Sequence, residues 1–141
     1  MSFLKNIREI NRCYSLFRGE RMEPYGIAGS QCHYLLAVHD HPGIPQDSLA
    51  NLLLFNKSSV ARQLSAMEEK GLIRRERSPK DKRIFLVYPT DLGETFVPLI
   101  RQANHDFLEI LSQTLSQEEL TNLEELTRKI KEPAKEAIKQ L

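Results

Sequence analysis

The 141-residue sequence predicts a mainly α-helical fold with one small β-hairpin. Over most of the chain, apolar residues recur at spacings of three and four, which is the period of a helix that buries one face. The exception lies within residues 72–90, where two runs rich in Ile, Leu, Phe and Val flank a charged turn, as in a pair of strands. Hydrophobic residues make up 40% of the chain and charged residues 28%, which is the composition of a folded globular protein.

Both ends of the chain are predicted to be long helices, over residues 2–18, 91–115 and 116–141. Ser116 and Glu119 stand three residues apart and form a capping box for the last helix. Pro98 and Pro133 lie inside these patterns and predict kinks or breaks. The first apolar stripe consists of Phe3, Ile7, Ile10, Tyr14 and Phe17, and the last consists of Leu120, Leu123, Ile130, Ala134, Ile138 and Leu141.

Three shorter helices are predicted between the ends. The first begins at a Ser30 cap and ends at residues 41–43, His-Pro-Gly. The second follows Pro45, which offers no side-chain cap. The third begins at the cap Asn56 and ends at Gly71. The apolar faces of the three helices are Tyr34, Leu35 and Val38; Leu49, Leu52 and Leu53; and Val60, Leu64 and Met67.

Two residues predict how the second and third of these helices pack. Ala50 is small enough to let the two helices cross closely. Phe55 is the apolar residue expected to fill the gap between them. A helix, a short turn, a helix and then a hairpin with a charged tip together make a winged helix-turn-helix, so we expect the third helix to be a recognition helix.

The predicted recognition helix presents a compact polar face opposite its apolar one. Arg pairs bidentately with guanine, Gln pairs with adenine, Ser has several partners, and a Lys suits a phosphate. The free N–H groups at the start of a helix also favour an anion. The residues of this face are Lys57, Ser58, Ser59, Arg62 and Gln63.

Charge is distributed unevenly along the chain. Residues 57–90 contain nine basic and four acidic residues, a net charge of +5, whereas residues 1–56 are neutral and residues 91–141 carry −4. A positive segment in an otherwise neutral or acidic chain is expected of a protein that contacts the phosphate backbone. On charge alone, a solvated surface explains the segment equally well.

Two motifs resemble those of the MarR family of transcriptional regulators. The sequence Asp81-x-Arg83 followed by Val87-x-Pro89-Thr90-x-x-Gly93 resembles the family's wing pattern D-x-R…L-T-x-x-G, and EEKGLIRR at 68–75 is a second match. The resemblance covers about residues 30–115. Two positions depart from the pattern, because Pro89 replaces a leucine and Pro45 replaces a capping Ser or Thr.

The resemblance implies a role for the charged tip. Arg83 would enter the minor groove, Asp81 would hold and aim it, and Lys80 and Lys82 would lie near phosphates, with Arg77 on the same wing. It also implies a homodimer that binds double-stranded DNA at a palindromic operator, with repression as the family's usual outcome. The expected parts are a dimerisation helix and linker at 1–28, the DNA-binding region at 29–92 and dimerisation helices at 93–141.

A small-molecule effector is a further expectation from the resemblance. Arg18, Tyr25, His33 and Tyr34 are the polar or aromatic residues proposed to line its pocket. In one branch of the family a cysteine of the first helix senses peroxide, but the sequence around Cys13 departs from that branch, and Cys13 is interpreted as structural.

Metal sensing by His33, His39, His41, His105 and Glu23 has little support, since no H-x-x-x-H pair is present. We therefore predict neither a metal nor a cofactor.

Other functional classes are disfavoured. No Gly-rich phosphate loop or nucleophile elbow is present, which argues against an enzyme. RNA binding is disfavoured because the A-form major groove excludes a helix. The remaining alternative is a winged helix that makes only protein–protein contacts, and Arg62 and the basic wing argue against it. No membrane span or signal-peptide core is visible, so we expect a cytoplasmic protein.

Overall fold

The computed structural model describes residues 2–141, and this part of the chain is mainly helical. The elements are α1 (Ser2–Met22), a 3-10 helix (Glu23–Tyr25), α2 (Gly29–Asp40), β1 (Ile44–Pro45), α3 (Gln46–Leu53), α4 (Lys57–Glu69), β2 (Ile73–Arg77), β3 (Phe85–Pro89), α5 (Asp91–Ser112) and α6 (Gln117–Lys139). The described chain forms two compact units, one that ends at Asn104 and one over His105–Leu141. The predicted mainly α fold with a small β wing is confirmed.

The core of the first unit is built from the predicted apolar faces. α4 contributes Val60, Leu64 and Met67, which are completely buried, and α3 contributes Leu49 and Ala50. The burial of Ala50 agrees with a close crossing of α3 and α4. Leu52 was assigned to the same buried face, but it is 49% exposed, because an eight-residue helix has room for only a narrow apolar stripe.

The wing is a three-stranded sheet rather than a two-stranded hairpin. β3 lies in the centre and pairs antiparallel with β2 on one side and with β1 on the other. Val87 of β3 is paired in register with Ile44 of β1 and with Arg75 of β2. The strand β1 was missed because two residues ending in a proline show no periodicity and resemble a loop.

Local signals set most helix ends correctly. The Asn56 side chain accepts a hydrogen bond from the Ser59 N–H at 2.7 Å and caps α4, and Gly71 leaves that helix with φ +76°. The Ser116–Glu119 capping box is present at α6. The cap of α2 was predicted wrongly. The N-cap is Ala28 rather than Ser30, and its N–H donates to the Gln31 side chain at 3.2 Å.

Both internal prolines lie within continuous helices. Pro98 is inside α5 and Pro133 is inside α6, so neither ends its helix. α1 also extends four residues beyond the predicted end at residue 18. Its contact with α2 depends on glycine, because a Cβ on Gly29 would lie 2.4 Å from the Ser15 carbonyl oxygen.

The apolar stripes of the terminal helices face solvent in the single chain. In α1, Phe3, Ile7 and Ile10 are between 44% and 50% exposed. In α6, whose described side chains include no buried residue, Ile130 is 43% exposed. Leu126 lies three residues after Leu123 and four before Ile130, so it adds to this stripe, and it is 58% exposed. Each stripe has helical periodicity, so each presents a continuous apolar face that this chain leaves in contact with water.

Candidate nucleic-acid interface

α4 presents its polar face at its N-terminal half. Lys57 and Ser58 are exposed in the first turn, and Arg62 is exposed one turn later. The Arg62 guanidinium donates from Nη2 to the Ser59 hydroxyl at 3.2 Å, which orients the longest side chain of the face. Lys57 forms an exposed ion pair with Asp47 of α3 at 3.4 Å. The helix therefore presents one oriented guanidinium surrounded by small hydroxyl side chains.

The sequence predicts that Gln63 pairs with a base, but in the structure its side chain also bonds to another helix. Its side-chain oxygen accepts a hydrogen bond at 3.3 Å from Nε2 of Gln31, a buried residue of α2. The Gln31 oxygen in turn accepts from the Lys70 ammonium at 2.9 Å. Gln63 is three residues from Val60, and this spacing turns it toward the protein. Gln63 is therefore half-buried beside the exposed Arg62, and its oxygen is used in a contact between two helices.

The tip of the wing is organised around Asp81 and Arg83. The Asp81 carboxylate accepts three hydrogen bonds from Arg83: from the backbone N–H at 3.0 Å, from Nε at 3.1 Å and from Nη2 at 3.0 Å. Hydrogen bonding to the Arg83 side chain and backbone lowers the pKa of Asp81, and the same pairing raises the pKa of Arg83. The Arg83 side chain remains 90% exposed. The tip thus presents a guanidinium that is oriented but open to solvent.

The remaining wing cations divide into two groups. Lys80 and Lys82 are exposed at the tip. Arg77 is exposed as well, but it lies over the Phe85 ring at 4.7 Å and donates to the Lys82 carbonyl at 2.6 Å. Arg77 therefore stabilises the hairpin internally, although the sequence grouped it with the DNA-contacting residues. Ser78 closes the turn, because its hydroxyl accepts from the N–H groups of Lys80 and Asp81.

Sequence reasoning missed one residue next to this surface. The Arg75 guanidinium lies between β2, α3 and α4 and donates to Gln46, Ser65 and Glu68 at 3.1 to 3.2 Å. The signal was present in EEKGLIRR, which contains both Glu68 and Arg75. Their seven-residue separation, however, spans a helix end and a turn and does not by itself predict a contact.

A second candidate site surrounds a buried arginine of α1. Arg18 is 6% exposed, lies over the Tyr14 ring at 4.1 Å and is 3.5 Å from Nδ1 of His33. Burial, and then the charge of Arg18, lower the pKa of His33 to about 4. Within residues 2–141, the Arg18 Nε and the His33 Nε2 are buried without a hydrogen-bond partner. Buried nitrogens without a hydrogen-bond partner are costly, so this position would favour a group that can accept from the Arg18 Nε.

Aromatic side chains form the apolar side of this second site. Tyr34 is buried, and its ring lies 5.1 Å from that of His33 and stacks on Phe55 at 5.7 Å. Phe55 was expected to fill the gap between α3 and α4, but it is 42% exposed and packs on α2. Tyr25 does not join the group, since it is exposed and lies against Phe96 at 5.4 Å. Three of the four predicted effector residues are therefore together.

The histidines are dispersed in the structure. His39 pairs with Glu94 at 2.5 Å. His105 lies 3.9 Å from Glu109, which is four residues later in α5. Across residues 2–141, no group of three or more His, Cys, Asp or Glu side chains is placed to hold a metal ion. Cys13 is exposed on α1, whereas Cys32 is buried in α2, where burial raises its pKa. None of the helices in the described chain is both long and apolar enough to span a membrane.

Comparison with known proteins gives the same fold and a family match. The sequence profile of the MarR family matches residues 28–85. A crystal structure of MarR superposes with a TM-score of 0.87 at 28% identity, covering 100% of this chain and 95% of that one. The chain belongs to the MarR family. Members of this family are transcriptional regulators rather than enzymes, and the same holds for this chain.

Two further relatives add detail. The transcriptional regulator HosA of Escherichia coli O111:H- is 38% identical over 80 residues, a match that spans 54% of this chain and 59% of HosA. A MarR-family structure from Listeria monocytogenes in complex with a 26mer DNA has a TM-score of 0.88 at 24% identity and covers 95% of this chain and 89% of that one. At this identity the second comparison concerns the fold.

Proposed function

We propose that this MarR-family chain is a homodimeric repressor that binds a palindromic double-stranded DNA operator and is released by a small molecule. The observation that carries the proposal is the Asp81–Arg83 pair, which keeps a guanidinium oriented and 90% exposed at the tip of the wing. A narrow minor groove concentrates negative potential and favours an inserted arginine. On α4, Arg62 is the side chain suited to a base edge in the adjacent major groove.

The fold supports a DNA complex. The Listeria monocytogenes structure that shares this fold contains a 26mer DNA, so the arrangement of helices and wing is compatible with DNA binding. The positive segment at 57–90 contains both α4 and the strands β2 and β3 of the wing with the tip between them. In this proposal, Lys57, Lys80 and Lys82 contact phosphates and contribute affinity without sequence preference.

Dimerisation is proposed because the apolar faces of α1 and α6 lack cover in the single chain. A second copy would bury them, and it would also supply a second recognition helix and wing. Two modules that bind matched half-sites gain affinity and selectivity that one module cannot reach. A twofold dimer then predicts an operator with twofold symmetry.

The effector is proposed to be a small aromatic anion held at Arg18 and His33. An anionic oxygen would accept from the unpaired Arg18 Nε, and the rings of Tyr34 and Phe55 would pack on an apolar body. Binding there would act on α2, whose residue Gln31 bonds to Gln63 of α4. The test is a screen of small aromatic acids against the operator complex. We expect such acids to release the wild type from DNA and to have no effect on Arg18→Met.

The decisive experiment is the selection of bound duplexes from a random pool. We expect a palindromic consensus, because each half-site would meet one copy of the same α4 and wing. A consensus without symmetry would refute the homodimeric reading. Failure to select any consensus would refute sequence-specific binding.

Salt dependence separates this proposal from a winged helix that contacts only proteins. If each dimer neutralises six to ten phosphates, its affinity for DNA falls by roughly a thousandfold or more between about 50 and 200 mM salt. The measurement is a fluorescence anisotropy titration of the selected duplex at several salt concentrations. A flat response would favour the protein-contact alternative.

A further inference from the structure

Arg75 joins the wing to the recognition helix through a single side chain. From β2, its Nη2 donates to the Ser65 hydroxyl and to Oε1 of Glu68, both at 3.1 Å, so it reaches the second half of α4. Its backbone N–H donates to the other oxygen of Glu68 at 3.0 Å. Glu68 therefore accepts from both the backbone and the guanidinium of one strand residue, which fixes the distance between β2 and α4.

The same guanidinium also contacts α3 and β3. Nη1 donates to the side-chain oxygen of Gln46, the first residue of α3, at 3.2 Å. The guanidinium lies 5.3 Å from the ring centre of Phe85. The Arg75 side chain is only 16% exposed, whereas that of Glu68 is 40% exposed, so water reaches the carboxylate but little of the arginine.

The contacts continue from Phe85 to the tip of the wing. Arg77 lies over the same ring and donates to the Lys82 carbonyl, one residue before Arg83. A continuous set of contacts thus connects Glu68 of α4 to the base of the Asp81–Arg83 pair. Because one side chain joins three elements at one end of this set, a change at Arg75 alters where the tip lies relative to α4.

We infer that Arg75, held by Glu68, is a positioning residue that sets the spacing between the minor-groove contact of Arg83 and the major-groove contacts of α4. The inference rests on the proposed DNA-binding function. Arg75 itself does not read the sequence; it allows the two reading elements of one half-site to bind at once. A planar guanidinium with several fixed donors suits this role, whereas a lysine would supply one ammonium and fewer oriented bonds.

A pair of neighbouring carboxylates gives a sharp test. Glu68→Ala and Glu69→Ala each remove one negative charge from adjacent exposed positions of α4. Simple electrostatics predicts that both variants bind the selected operator more tightly. If Glu68 holds Arg75, Glu68→Ala instead weakens binding by roughly threefold or more, as expected when a coupled network loses a member, while Glu69→Ala binds as tightly as wild type or more tightly. Equal strengthening by both variants would overturn the inference.

A double-mutant cycle tests the link to Arg83. In an Arg75→Met background, Arg83→Ala should cost at least about threefold less than in the wild type, because a misplaced tip no longer benefits from Arg83, and residues in one network couple by factors of about two to a hundred. The control is Arg74→Met, which removes the same charge from the preceding residue of β2, where the guanidinium lies over the Tyr88 ring. Additive losses in both backgrounds would overturn the inference.

Folding and the proposed function are monitored separately. Thermal unfolding of each variant reports folding; if Arg75→Met does not fold, Glu68→Ala and Arg75→Lys carry the same test, and Arg75→Lys is expected to recover only part of the affinity. Two probes compare the bound wild type with bound Glu68→Ala. Hydroxyl-radical cleavage of the sugars should show loss of protection along the minor groove, whereas methylation of guanine N7 by dimethyl sulfate should show that protection in the major groove is retained. A wild type that binds no duplex refutes the proposed function, whereas a binding wild type with unchanged footprints in Glu68→Ala refutes only the role of Arg75.

Discussion

Asp81 carries a negative charge on the surface proposed to meet DNA. Its proposed contribution to binding is that it orients Arg83. Two hydrogen bonds to the Arg83 guanidinium and a third to its backbone N–H leave that side chain little freedom before DNA arrives. An arginine that is already oriented loses less side-chain entropy on binding than a free one. The residue therefore opposes DNA through its charge and favours DNA through the order that it imposes.

Substitutions at the tip distinguish these two effects. Arg83→Ala is expected to weaken operator binding by about fivefold to a hundredfold, and more than Lys82→Ala, because only Arg83 is held for insertion. Asp81→Ala should also weaken binding, although Coulomb attraction alone predicts the opposite sign. The measurement is a titration of the three variants against one operator at a fixed salt concentration. Tighter binding by Asp81→Ala would reduce the tip to a generic basic patch.

His33 gives the protein a predictable response to acid. Its pKa in the folded state is lowered to about 4, first by burial and second by Arg18, from an ordinary value of 6.5. Between these two pH values the unfolded chain binds a proton at His33 and the folded chain does not, so the free energy of unfolding falls as the pH is lowered from 6.5 toward 4.

The free energy of unfolding is expected to fall less in His33→Gln than in the wild type over that pH range. The measurement is urea unfolding at several pH values between about 7.5 and 4.5. His41→Gln is the control, since it removes an exposed histidine at the end of α2 and leaves the Arg18–His33 contact intact. Identical pH dependence in wild type and His33→Gln would contradict the burial of a neutral His33.

At the scale of one element, α4 combines two surfaces with different tasks. Its outer face carries Arg62 and small side chains, including Ala61, Ser65 and Ala66, so the helix backbone can approach a groove closely. Its inner face is apolar at Val60 and Leu64. Gln63 lies between these faces and bonds to α2, so a residue type able to read adenine is used to hold the helix in place.

This division predicts different outcomes for neighbouring substitutions. Arg62→Ala should relax base preference at particular positions and cost about 1–3 kcal/mol of binding free energy at the preferred site. Gln63→Ala should weaken all sequences about equally, because it loosens the contact between α4 and α2. Lys57→Ala should also act uniformly and reduce the salt dependence. Repeating the duplex selection with each variant measures the difference. An unchanged consensus for Arg62→Ala would contradict the assignment of this face.

For the whole molecule, the exposed stripes determine the proposed oligomeric state. Leucine and isoleucine side chains that are about half exposed along two long helices form apolar faces that soluble monomers rarely present to water. Covering them with a second copy removes this surface from water and supplies the second DNA-binding module. Dimer formation and operator binding are therefore expected to be lost together.

A glutamate on the α6 stripe tests this coupling. Leu126→Glu should yield a monomer by analytical ultracentrifugation and should weaken binding to the full palindrome far more than binding to a half-site, because only the dimer engages both halves. Thr121→Glu is the matched control, since it adds the same charge to the same helix, about half a turn away from the stripe. A Leu126→Glu variant that remains dimeric would place the interface elsewhere.

Most of the architecture could be predicted from the sequence. The 3.6-residue period of apolar residues predicted the helices, and Asn56, Gly71 and the Ser116–Glu119 pair predicted ends that the structure confirms. These signals are readable because they act over four residues or fewer. The Asp81-x-Arg83 contact has the same local character, with two residues separated by one.

Only the tertiary structure decided the contacts between distant segments. Arg75 meets Gln46 across 29 positions, Gln63 meets Gln31 across 32, and Arg18 meets His33 across 15. The strand β1 likewise exists because β3 passes beside it. Local periodicity and capping depend on neighbours along the chain, so the sequence alone determines them. Which polar groups pair across the fold depends on how complete elements pack, and that packing is a property of the whole chain.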